Sequence, residues 1–338
     1  MDAGRRVSRR SFSRWSLAGL LLPAGACRAA VEQGGAAAGA GPRDRSKVVI
    51  ARDEKVRSGR SRLDEARVLD VLDRSLQAYY DCDSPLEAWR RVAGLGKVIG
   101  LKVNCLAGRG ASTHRELAEA VCERLQQAGV PAKNIVIWDR LSSDLESAGF
   151  RIRERGEKPR CIGNEIDGYD SELLAYGRVG SLVCRTLTRR CDAVINLPVL
   201  KDHSIAGVTI ALKNFFGAIH NPNKYHLNVG DPYVADVYML EPIRTKAKLH
   251  ICDAFNVQYE GGPSYLPQWS WPYNGLLVSA DPVALDTIGR RIIEEKRAAE
   301  GFPSLKEQKR EPTYIATAAD EKHRLGIADP GRIDVVEV

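Results

Sequence analysis

The sequence predicts an α/β fold with a predominantly parallel sheet and helices on both faces, arranged as one domain or as two lobes sharing that sheet. Three observations carry this prediction. Short apolar runs at residues 98–103, 135–138, 193–197 and 249–252 have the length and branched content of buried strands and are too short for ordinary helices. A helical stretch over 113–128 separates the first two, which is the crossover a parallel strand pair needs. Cap and stop signals punctuate the pattern, with Gly129-Val130-Pro131 ending that helix and Asp281-Pro282 opening another.

Taken in order, residues 47–51 read as a first strand, and residues 64–80 as a helix on the spacing of Ala66, Leu69, Leu72, Leu76 and Tyr79. Residues 98–103 follow as a strand ending at Asn104-Cys105. Thr113 and Glu116 then form a capping-box pattern. Residues 135–138 are a strand with Asp139-Arg140 at its end, and 151–190 is an irregular stretch read as a hairpin region or small lobe. The strand over 193–197 leads through Asn196-Leu197-Pro198 into Lys201-Asp202-His203, and a nearly all-apolar helix is expected over 205–216. A strand over 249–252 ends in Asp253, the aromatic and Pro-rich loop 259–273 is either a lid or packing over a sheet edge, and 276–279 is another strand. A helix over 281–297 and a last strand over 333–338 complete the sequence.

The chemistry concentrates between Cys191 and His226. Lys213 and Asn214 sit in the expected 205–216 helix, where Gly207, Ala211, Asn214 and Ala218 would form one stripe of small residues. A lysine in such apolar surroundings costs roughly several kcal/mol unless something meets it. Either Lys213 pairs with a buried carboxylate and Asn214 satisfies loop backbone, or both face an anionic or polar ligand. The second reading is adopted, because ligands in open α/β sheets collect at the carboxyl ends of strands. Lys201, His203 and Lys213 are the candidate catalytic residues, with His203 expected to move protons near neutral pH. Lys102, Asn104, Asp139, Asn196, Asn214, Asp253 and Asp286 are the candidate ligand-binding residues, Asp286 as a buried partner of Lys213 or Lys102. His220 and His226, with five residues between them and His203 and Asp231 nearby, offer a metal site as a second hypothesis, on a spacing that matches no standard zinc pattern.

Other functions lose support. The sequence carries no G-x-S-x-G, no Walker-type phosphate loop and no clean G-x-G-x-x-G. Residues 1–46 hold eight Arg against Asp2, Glu32 and Asp44, so +5 of the formal +7 lies there and no basic patch supports nucleic-acid binding. Those residues also read as an address. Ser8-Arg9-Arg10-Ser11-Phe12 followed by a short apolar run fits a twin-arginine signal over 1–30, with a flexible Gly- and Ala-rich leader over 31–46. The twin-arginine machinery is therefore an expected partner, and a periplasmic or extracytoplasmic location is expected without a transmembrane span in the mature chain. Cys27 after Ala24-Gly25-Ala26 raises a lipid anchor as the lesser alternative, since Ala24 stands where a large aliphatic residue belongs. Export after folding in a reducing compartment argues against relying on disulfides, although Cys184 and Cys191 could pair.

Three segments resemble the domain-of-unknown-function 362 family in the expected order: the strand 98–104, the stretch 191–226 and Ser279-Ala280-Asp281-Pro282-Val283-Ala284-Leu285-Asp286. The resemblance spans about 98–291 within an α/β domain placed at 47–338. It implies a link with iron–sulfur proteins, some relatives carrying a ferredoxin-type cysteine cluster. Here Cys82, Cys105, Cys122, Cys161, Cys184, Cys191 and Cys252 never form C-x-x-C, so such a cluster is not expected. The resulting expectation is an exported protein binding a small anionic substrate or cofactor at the strand ends, as a redox or proton-transfer enzyme. The alternatives are a non-catalytic ligand-binding or assembly protein, or a metal-binding protein using the loop histidines.

Overall fold

A computed structural model describes residues 44–59 and 62–338. The signal reading of 1–30 and most of the leader lie outside those residues. The elements that position the site are β1 (Ser46–Arg52), α1 (Glu65–Tyr80), α2 (Pro85–Ala93), β2 (Ile99–Lys102), α3 (Arg115–Gln127), β3 (Ile135–Asp139) and β4 (Arg160–Gly163). They continue with β5 (Ala193–Asn196), β6 (Val199–His203), β7 (Gly207–Thr209), α4 (Ala211–Asn214), β8 (Ala247–Gln258), β9 (Gly275–Ser279), α5 (Pro282–Ala299) and β10 (Ile333–Glu337).

One sheet runs in the order β10-β1-β9-β8-β5-β2-β3-β4. Along this path β9 alone is antiparallel to its neighbours, so the sheet is mostly parallel, as the alternation of strand and helix predicts. The long strand β8 serves two partners: its first half pairs with β5, and its second half pairs with β6, on the far side of Leu197-Pro198. Along β1, Val48 and Ile50 enter one core while Val49 and Ala51 enter the other, the period-2 alternation of a strand with both faces covered. Val68, Leu72, Trp89, Leu117 and Val121 of α1, α2 and α3 pack on one face. Val283, Leu285, Ile288 and Ile292 of α5 pack on the other.

The caps follow the residues expected of them at two helices. Asp64 accepts from the amide of Arg67 at the start of α1, and Asp281 accepts from Val283 and Ala284 ahead of Pro282 at the start of α5. The Thr113–Glu116 capping box does not form. Thr113 Oγ1 instead donates to the Leu197 carbonyl at 2.7 Å and accepts from the Asn104 amide at 2.8 Å, tying two strand ends together, and α3 starts without a side-chain cap.

The helix expected over 205–216 is the main local correction. Gly207 has φ +77° and closes a hairpin in which Lys201 faces Thr209 and His203 faces Gly207; only glycine adopts that backbone cheaply. The branched Val208 and Thr209 therefore extend as β7, and helical backbone is confined to α4 and a following 3₁₀ turn, Phe215–Ala218. The small-residue stripe does not exist as one helical face. Asp253 is also placed differently, inside β8, because that strand runs on to Gln258. The irregular 151–190 region supplies β4 and a small hairpin of Leu174–Tyr176 with Val179–Ser181. Loop 259–273 takes its packing alternative: Trp271 pairs with Val257, and Tyr259, Trp269 and Trp271 make ring contacts with one another or with Phe302. All seven described cysteines, Cys184 and Cys191 among them, are free thiols.

Candidate functional site

The carboxyl ends of β2, β3 and β6 meet α4 and the 222–226 turn around a cavity of about 370 Å³. Strand alternation decides what enters it: Lys201 and His203 line the cavity, while Asp202 between them points away to Arg310. Lys102 comes from the last residue of β2, Asp139 from the last residue of β3, and Lys213 and Asn214 from α4. The α4 turn is held by Asp286, whose carboxylate accepts from the amides of Ala211 (2.7 Å) and Leu212 (3.3 Å). Asp286 is thus a backbone anchor on the far side of α4 and not the lysine partner expected of it.

A directed chain of amides orders the floor. Lys201 Nζ donates to Asn104 Oδ1 at 2.9 Å, Asn104 Nδ2 to Asn214 Oδ1 at 2.9 Å, Asn214 Nδ2 to Asn196 Oδ1 at 2.7 Å, and Asn196 Nδ2 to the Ala211 carbonyl at 3.0 Å. Each amide's orientation is set by the next, so the polar groups arrive fixed in direction. Asn196 acts behind the cavity, where its Nδ2 also meets His250.

The charges in this rim are unevenly matched. Lys102 Nζ pairs with Asp139 at 2.7 Å, and Asp139 also accepts from the Cys105 amide at 2.6 Å. Lys201 has two neutral acceptors, Asn104 and the Ala111 carbonyl at 2.8 Å, but no carboxylate among the described residues. Lys213 has neither an ion pair nor a hydrogen bond among them; it is 7% exposed, and its amine lies 4.8 Å from the centre of the Phe216 ring. Burial pushes Lys201 down to about 8 and Lys213 to about 7, the nearby Lys201 adding to the second shift.

His203 differs from its expected role. Its Nδ1 accepts from the amides of Ile205 and Ala206, both at 3.2 Å, which leaves the proton of the neutral ring on Nε2. Burial, with Lys213 adding to it, holds His203 down to about 2. It therefore stays neutral near pH 7 and presents a fixed donor rather than a proton shuttle. His226 stacks on it with ring centres 5.3 Å apart and is held down to about 4, again mainly by burial.

Of the residues singled out from sequence, the fold brings Lys102, Asn104, Asp139, Lys201, His203, Lys213, Asn214 and His226 to one cavity. Asp253 lies elsewhere, accepting from the backbone and ring of His114 at 2.7 and 2.9 Å. His220 packs edge-on against Tyr169 and does not join His226 in the cavity wall, and among the described residues no group of three or more His, Cys, Asp or Glu is placed to hold a metal ion. Sequence reasoning missed Arg140, Asp144, Thr209 and Phe216 as lining residues. Arg140 directly follows Asp139 at a strand end and Phe216 lies three residues after Lys213, so adjacency and helical spacing would have found both. Thr209, which the expected helix would set one turn from Lys213, reaches the cavity from β7 instead.

The family described as Domain of unknown function (DUF362) matches residues 99–291. The chain belongs to that family. The DUF362 segment opens at β2 and closes within α5, so it contains every lining residue of the cavity. No curated protein matches the chain.

Proposed function

We propose that this DUF362 protein binds a small organic anion, a carboxylate or phosphate compound, in the cavity at the strand ends. One observation carries the reading: three lysines converge there, and among the described residues the one carboxylate bonded to any of them, Asp139, is committed to Lys102 and the Cys105 amide. Lys201, the Nε2 donor of His203 and the neighbouring Arg140 then supply charge and hydrogen bonds to an incoming anion. Fixed amides pay little reorganisation on binding, which favours a preformed site. The twin-arginine pattern at Arg9-Arg10 supports action outside the cytoplasm.

Calorimetric titration with phosphate, acetate and pyruvate at pH 6.5 tests the reading. Saturable one-to-one binding of at least one is expected, with Lys201→Met weakening it roughly tenfold or more through loss of a charge-assisted bond. Binding should also weaken as pH rises through about 7 and 8, where Lys213 and Lys201 lose their protons. Affinity indifferent to both the variant and the pH would overturn the assignment.

A further inference from the structure

We propose that Lys213 is a nucleophile, forming an imine with the carbonyl carbon of a small anionic aldehyde or ketone whose charged end is held by Lys201. This rests on the anion-binding reading above and adds to it a substrate class and a covalent step. The three rim lysines have separate positions in the geometry. Lys102 is paired with Asp139, and Lys201 is held by two oxygen acceptors. Lys213, nine-tenths buried, lines the cavity with its amine over the Phe216 ring, and it is the one of the three with no ion pair or hydrogen bond among the described residues. Among the described residues no carboxylate pairs with it, and Lys201 nearby opposes its charged form. A desolvated lysine beside another cation is the arrangement that leaves a neutral, reactive amine near pH 7.

The cavity also suits the partner. Thr209, whose buried Oγ1 has no hydrogen-bond partner among the described residues, belongs to the same wall, as does His203, so donors are at hand for an oxygen that gains charge during addition. In the step itself, the lone pair of Lys213 Nζ forms a bond to the carbonyl carbon while the C=O π pair moves to oxygen. One proton passes from nitrogen to that oxygen. The resulting carbinolamine loses its hydroxyl and the second nitrogen proton as water, giving the C=N bond. The balance is amine plus carbonyl to imine plus water, with no oxidant or reductant required.

Reductive trapping tests this. The full chain is incubated with pyruvate and cyanoborohydride at pH 7.5, and modified lysines are mapped by peptide mass spectrometry; propanal serves as a neutral carbonyl and circular dichroism monitors the fold. Preferential modification of Lys213 by pyruvate is expected, with Lys201→Met lowering the ratio of pyruvate to propanal labelling at Lys213 at least tenfold. Lys213→Arg should abolish the adduct while the protein stays folded. Calorimetric pyruvate binding without an adduct at Lys213, or label confined to surface lysines, overturns the nucleophile assignment and leaves anion binding standing. Propanal and pyruvate reacting equally well at Lys213, with no effect of Lys201→Met, overturns the anion reading and the substrate class drawn from it.

Discussion

Two clusters of charge lie on opposite sides of the same short strand, and they are built in opposite ways. Behind β6, Asp202 is fully buried against Arg310 and accepts from the Gly262 amide at 3.0 Å, while Arg297 stands 3.8 Å away and Glu260 contacts both guanidiniums. In front of it, Lys201 and Lys213 are buried with no carboxylate bonded to either among the described residues. The rear cluster is closed: each ion finds an opposite ion inside the protein. The front cluster is open on its positive side. Burying charge without a counter-ion is a cost that folding does not reward, so the imbalance points to something the isolated chain does not supply.

The comparison can be broken most severely from behind. Arg310→Met leaves Asp202 and Glu260 facing Arg297 alone, and urea denaturation should show a loss of about 3–5 kcal/mol, the usual result of removing one member of a buried ionic group. The equivalent change in front should have the opposite sign. Lys213→Met removes an uncompensated buried amine, so at pH 6 its unfolding free energy should stay equal or rise by about 1 kcal/mol, with the imine and the contribution to anion binding lost. A large destabilisation there would make Lys213 a structural member of the core.

The smallest effect sharpens the comparison through pH. In the folded protein Lys213 gives up its proton at about 7, whereas the unfolded chain keeps it up to the ordinary lysine value of 10.5. Between those values the unfolded state binds more protons, so stability must increase as pH rises through that window. Lys201 acts in the same direction from about 8. Lys213→Met should therefore show a flatter rise in stability from pH 7 to pH 10 than the parent protein, read from denaturant midpoints at constant salt. Asp202, lifted by burial to about 6, contributes with the opposite sign at lower pH, where the folded state holds the extra proton.

The gathering of Lys102, Asn104, Asp139, Lys201 and His203 was legible because a parallel sheet sends its strand ends to one rim, and short apolar runs locate those ends. What hid the rest was longer-range or depended on single backbone angles. The 205–216 stretch has the composition of a helix, but one left-handed glycine at 207 turned half of it into a hairpin. Asp286 read as a counter-ion because a buried carboxylate near lysines invites that pairing; its partners are instead two backbone amides 74 and 75 residues away. Asp202 was passed over although it sits between two residues that were chosen. Its partner Arg310 lies 108 residues further on, a separation no local pattern reports.

Gly262 is built into the back of this site: a methyl group there would come within 1.9 Å of the Asp202 carbonyl oxygen, and the next residue, Pro263, forms part of the cavity wall. The aromatic loop is thereby riveted to β6 next to the residue it contributes to the cavity wall. That part of the wall is set when the chain folds, not when a guest arrives. Along this wall the fit of a guest becomes a matter of fixed dimensions, so selection between short and long guests falls there to shape rather than to a closing motion.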